Sequence, residues 1–380
     1  MSEENVNVSA QEQEQEKIES FQPEPVKEEK APLSGWKKIV AKVGIGCALA
    51  AVLFTIIFIF TVGIDITTTV GSESDVESVD LFYYFESFEK TVKSIESNPN
   101  LDPLYALARI WRDCVGILAT CALLVVTIIF CIIAAIKGII AITKGTENNF
   151  FKFSAIAFAS FFVFSNAFIA VNANAQISPD ASIIVGVSSS AVTGIVLSGL
   201  FLLASFGCKV AVNFKDYVNK NTIMGIVGSS VKVVMVILIT CLMVYSVTQT
   251  KGEVTFHNAS FSIASSFANS ESQKRANIST TALISGFIYI PLTIMMLASV
   301  INAATELDNL TKPVSLRMPI AVIVLSVLYM IFSMVTANMI NELKNVSEYS
   351  ATMPIVVVVL AIINLAGAIV MNVGNKKKAA

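Results

Sequence analysis

Residues 186–206 read GVSSSAVTGIVLSGLFLLASF, twenty-one positions without one Asp, Glu, Lys or Arg. A helix of about 20 apolar residues crosses the hydrocarbon core of a bilayer, so this stretch is long enough to span one. Working outward, eight stretches share that property: 43–64, 115–136, 153–172, 182–206, 233–250, 282–305, 318–340 and 353–373. They are unbroken apolar runs rather than the short alternating segments of a β-barrel, so helices are the expected form. The fold class that follows is an all-α integral membrane protein, a polytopic bundle of about eight transmembrane helices.

Composition agrees. Of 380 residues, 54% are hydrophobic and only 14% charged, against about a quarter charged in soluble domains. The formal net charge of −2 hides a segregation: residues 1–32 hold nine acidic residues and three lysines, whereas the chain ends near Lys376-Lys377-Lys378. The leader, with AQEQEQEKIESFQPEPVKEEKAP, has no apolar face, so residues 1–35 are predicted to be a disordered acidic tail ahead of a membrane domain over 36–380. An acidic leader is the opposite of the basic n-region of a cleavable signal peptide, and none is expected. No basic balance points to nucleic acid.

Lys and Arg set the orientation. Fifteen lie just before the first span, in one set of inter-span segments and at the C-terminus, and eight in the alternate set. The positive-inside rule then places both termini in the cytoplasm of a multi-pass protein, with the cell membrane as the expected location. The expected partners are the lipid bilayer and, within it, other membrane proteins or a further copy of the chain. The sequons at Asn258, Asn277 and Asn345 fall in segments assigned outside.

Two outer loops are long, 65–114 and 251–281. In the first, LFYYFESFEKTVKSIES (81–97) repeats Leu81, Phe85, Phe88, Val92 and Ile95 at helical spacing, which predicts an extramembrane helix lying on the outer membrane face or capping the bundle. Asp102-Pro103 reads as an N-cap and first-turn proline of a helix running through the interfacial anchors Trp111 and Arg112 into the second span. Spans one to four and five to eight follow a common rhythm of long outer, inner and short outer loops, which raises a four-plus-four duplication.

Catalytic signals are absent. The one histidine, His257, lies in an outer loop, and no phosphate loop, HExxH or GxSxG occurs. Asp75, Glu77 and Asp80 read as a solvated acidic surface. The six cysteines form no CxxC pair, so neither a disulfide framework nor a zinc cluster is expected. The chain is read as a non-enzyme with no metal or cofactor. The eight stretches carry no charge, and intramembrane charge is the usual mark of proton relays and ion-coupled pumps, so ion-driven transport is disfavoured.

What remains is uncharged polarity. Ser182, Gly186, Ser190, Gly194 and Ser198 recur at every fourth position and would form one strip on a fourth helix. Small residues on such a strip admit a neighbouring backbone, with span one and its Gly44/Ala48 and Gly46/Ala50 pairs as the partner. Elsewhere Asn166, Tyr289, Thr293, Tyr329 and Asn364 lie near mid-span, and Pro291 is expected to kink the sixth helix by freeing the carbonyl of Phe287. The packing strip favours a protein of membrane assembly or organisation, with loop 65–114 as its outer contact surface. The rival is a permease or permease subunit for a neutral or weakly polar solute, using those polar residues around Pro291.

Overall fold

The computed structural model describes residues 35–98, 100–144, 150–169, 175–178, 181–215, 218, 222–251, 254–268, 272–308, 314–343 and 348–379. The leader expected to be disordered lies outside these residues but for Gly35, as does Asn345. Among the described residues the chain forms α1 (Trp36–Ile59), β1 (Ile64–Val70), β2 (Glu73–Val79), α2 (Tyr83–Ser97), α3 (Pro103–Lys144), α4 (Phe150–Ile169), β3 (Ala175–Ser178), β4 (Ala181–Val187) and α5 (Ser189–Val212). There follow α6 (Ile223–Leu242), β5 (Val247–Lys251), β6 (Val254–Asn258), α7 (Ser260–Ala268), α8 (Gln273–Asp308), α9 (Arg317–Asn341), β7 (Glu348–Ser350) and α10 (Thr352–Ala379). Eight of the helices, all but α2 and α7, are long and apolar enough to cross a membrane. The protein is an all-α polytopic membrane bundle. Its flanks agree with a lipid solvent: Leu118, Val125, Ile129, Ile132 and Ile136 of α3 stand exposed as a continuous apolar surface that water would not tolerate.

The two halves have the same order of parts. Each runs span, β-hairpin, short helix, span, span, strand, span, with one extra strand, β3, ahead of β4 in the first half. In the first, β1 pairs antiparallel with β2 and with β4, giving the sheet order β2-β1-β4-β3; in the second, β5 pairs with β6 and β7, giving β6-β5-β7. Thus in both halves the first hairpin strand joins the strand that leads into the fourth span. The helices follow the same rule, since α1 packs on α5 as α6 packs on α10, and α3 on α4 as α8 on α9. The halves meet where α4 lies against α8 and α3 against α7, with Trp111 edge-on to Phe287 at 4.9 Å. Both sheets belong to the end of the bundle opposite the start of α1 and the end of α10, here the sheet face and the termini face.

The sheets correct the expected span boundaries. Residues 181–187 are strand β4, not the first turns of a membrane helix, and α5 starts only at Ser189, whose neighbour Ser188 caps it by accepting from the Ala191 amide. Residues 247–250, expected at the end of the fifth span, are in β5, and that span is α6, ten residues earlier at its start. Short apolar runs do not distinguish a buried strand from helix by hydropathy. The helix α8 continues through Pro291.

Candidate functional site

The strip expected on the fourth span divides between two elements. Ser182 and Gly186 lie on β4, and a Cβ added at Gly186 meets nothing within 4 Å. Ser190 donates to the Thr61 carbonyl at the end of α1 at 3.1 Å. Gly194 and Ser198 face α1, where a Cβ on Gly194 would fall 2.3 Å from that of Phe58 and Ser198 accepts from Thr55 at 3.2 Å. The α1–α5 contact therefore involves Ser190, Gly194 and Ser198, but not Gly186.

The five polar residues expected to share one path separate too. Asn166 is on α4, in the first half, and donates to its own helix at Phe162. Tyr289 and Tyr329 face each other between α8 and α9 with ring centroids 6.3 Å apart, and Thr293 returns its hydroxyl to the Tyr289 carbonyl. Toward the sheet face from these tyrosines, Ser246, Ser260, Ser285 and Ser333 form a buried hydroxyl cluster, with Ser246 to Ser333 at 2.7 Å and Ser260 donating to Ser285 at 3.1 Å. Between the tyrosines and the termini face, Val236, Leu292, Met296, Val322 and Ala361 close the interior with apolar side chains. Asn364 lies beyond that plug and faces a different space.

That space holds the charges that sequence reading placed outside the spans. Lys232 is nine residues into α6, roughly 13 Å along it at 1.5 Å per residue. It is 3% exposed, and its Nζ donates to Oε2 of Glu306 on α8 at 2.5 Å. The expectation of charge-free spans is therefore overturned. Hydropathy ends a span at a lysine, yet the nine uncharged residues Ile223–Val231 on the far side of Lys232 carry the signal that the helix continues. The pair opens on a cavity of about 160 Å³ beside Ser299, Asn302, Ser315 and Asn364.

A second buried charge fastens the sheet face. Asp113 of α3 is 0% exposed and accepts from Ser87 (3.2 Å) and Thr91 (2.9 Å) of α2 and from the Arg112 guanidinium (2.8 and 3.0 Å). The fully buried face of α2 is accordingly Tyr84, Ser87 and Thr91; of the expected stripe Leu81 is buried, Phe88, Val92 and Ile95 are half-buried and Phe85 is exposed. The polar face turns inward because the carboxylate beneath it needs donors.

His257, the lone histidine, is on β6 with its ring 4.9 Å from Tyr245 and its buried Nδ1 without a hydrogen-bond partner. Burial holds its imidazole below the usual value of 6.5. The folded hairpin thus favours the neutral ring while the unfolded chain binds the proton more readily. The stability it contributes is present above 6.5 and lost as pH falls through the lowered folded value. Hydrogen exchange at 254–258, corrected for intrinsic rates, is expected to speed up from about pH 7 to about pH 5.5 in the native protein and not in His257→Gln.

Comparison of the chain with protein-family models, with curated proteins and with solved structures returns no match.

Proposed function

We propose that this multi-pass protein acts without catalysis in membrane assembly or organisation, through contacts made by the β1–β2 hairpin. The Lys and Arg bias supports placing the sheet face outside the cell and both termini in the cytoplasm. The observation that carries the reading is the free edge of β2: all seven residues but the half-buried Val79 are exposed, and among the described residues no strand lies on the side away from β1. Glu73, Asp75 and Glu77 alternate along it on one face, while Val76 on the other is 57% exposed. An open edge of this kind offers backbone donors and acceptors to a further strand, and its acidic row favours a basic partner and discourages self-pairing. The apolar plug across the second half supports this reading over a solute path, because the polar groups proposed for a path lie on both sides of it.

The test is lateral mobility of the tagged full-length protein in its native membrane. D75K/E77K and Val76→Pro are expected to raise the diffusion coefficient several-fold, with surface delivery and melting behaviour kept. Mobility unchanged by both variants overturns the reading.

A further inference from the structure

We infer that the cavity at Lys232 and Glu306 is a closed-ended receptor site for a small zwitterion bearing one amino and one carboxylate group. Its floor is built rather than incidental. Lys232 and Asn364 are both almost fully buried, at 3% and 1% exposure, and come from α6 and α10, whose backbones touch at Gly228 and Gly367. Glu306 and Asn302 come from α8 one turn apart, and Ser315 stands at the entrance beside α9. The Oδ1 atom of Asn364 has no hydrogen-bond partner although it is buried on the cavity wall. A buried acceptor left unmatched bears its desolvation cost uncompensated, so a donor arriving there is favoured.

Size and charge choose the occupant. A single water needs about 10–15 Å³ of such space, so a cavity of about 160 Å³ admits a molecule of several heavy atoms with water around it. Among the described residues the wall carries one positive and one negative group, joined in one ion pair, and their charges balance. A lone anion that took Lys232 from Glu306 would strand a carboxylate in a low-dielectric site, and a lone cation would strand the ammonium; an uncompensated buried charge of this kind is strongly disfavoured. A zwitterion avoids both penalties, because its carboxylate takes Lys232 while its ammonium takes Glu306 and the orphaned Asn364 oxygen. A neutral polar molecule would leave the ion pair closed and gain only the amides. Passage beyond the site is blocked by Val236, Leu292, Met296 and Ala361, so occupancy is a signal read at the termini face, not a step of transport.

The experiment uses full-length protein in lipid nanodiscs with Ser315→Cys at the entrance, labelled by a water-soluble maleimide. Glycine, alanine and β-alanine serve as zwitterion probes, acetate and methylammonium as single-charge probes, and glycerol as a neutral one. At least one zwitterion is expected to slow labelling saturably, about tenfold at full occupancy, with the other three probes inert. Asn364→Leu and the double variant K232M/E306L are expected to lose this protection; should the double variant not fold, Glu306→Gln is measured in its place. In sealed vesicles the protecting zwitterion, radiolabelled, should not accumulate. No protection by any zwitterion, equal protection by acetate or methylammonium, or protection that survives loss of the ion pair overturns the site. Accumulation in vesicles overturns its closed end.

Discussion

Asp113→Ala is expected to destabilise the sheet face by about 3–5 kcal/mol, the loss typical of removing one partner from a buried ion pair. The carboxylate has no contact with solvent and accepts four hydrogen bonds, two of them from Ser87 and Thr91 of α2, and Arg112 adds a further link by donating to Ser87 at 3.1 Å. Without it, Arg112 keeps a mostly buried guanidinium with no carboxylate beside it, and both α2 hydroxyls lose their acceptor. The helix should separate from α3, seen as rapid amide exchange over 83–97 and a lowered thermal midpoint. Two comparisons isolate the cause. Asp113→Asn retains an acceptor and should lose less, while R112M/D113L removes both charges and should recover part of the loss of Asp113→Ala, because apolar replacement of a whole buried pair is often tolerated. Unchanged exchange over 83–97 in Asp113→Ala would refute the assignment of this residue as the fastening point of α2.

Gly228→Val is expected to separate α6 from α10. A Cβ at Gly228 would lie 2.7 Å from the Gly367 carbonyl oxygen and 2.8 Å from the Met371 amide. Both obstacles are backbone, so no side-chain rotation relieves them and whole helices must move. Overpacking a well-fitted core usually costs about 1–3 kcal/mol; with only backbone to shift, the upper end or beyond is expected. The same movement draws Lys232 and Asn364 apart, because they sit on the two helices that part. Gly186→Val, on β4 with open space at its Cβ, is expected to change stability by no more than about 0.5 kcal/mol. Denaturation in mixed detergent micelles ranks the two variants. Equal losses would mean that α6 and α10 are not held by close backbone contact.

That pair of glycines also shows how far the sequence could be read. Gly186 and Gly194 share one four-residue series, and periodicity treats them alike; only Gly194 lies on a helix against a neighbour. Gly228 lies in no such series and was not singled out, because close approach depends on which helix is opposite. The number of spans, by contrast, was legible: eight long apolar runs have few alternatives, since the backbone of a membrane-crossing segment must satisfy its own hydrogen bonds. The extramembrane helix at 83–97 was legible from its periodicity, but its buried face was not, because Asp113 draws Ser87 and Thr91 inward past more apolar neighbours.

The four-plus-four rhythm stood in the loop lengths; the strands that make it specific, β1 with β4 and β5 with β7, join residues about a hundred positions apart. Lys232 and Glu306 were visible as charges, and a local rule pushed them to the ends of spans. Membrane insertion is a sum over consecutive residues against lipid, and such a sum can be taken along the chain. Whether a lysine is tolerable at mid-helix depends instead on a carboxylate 74 positions away, and that term exists only once the helices have packed.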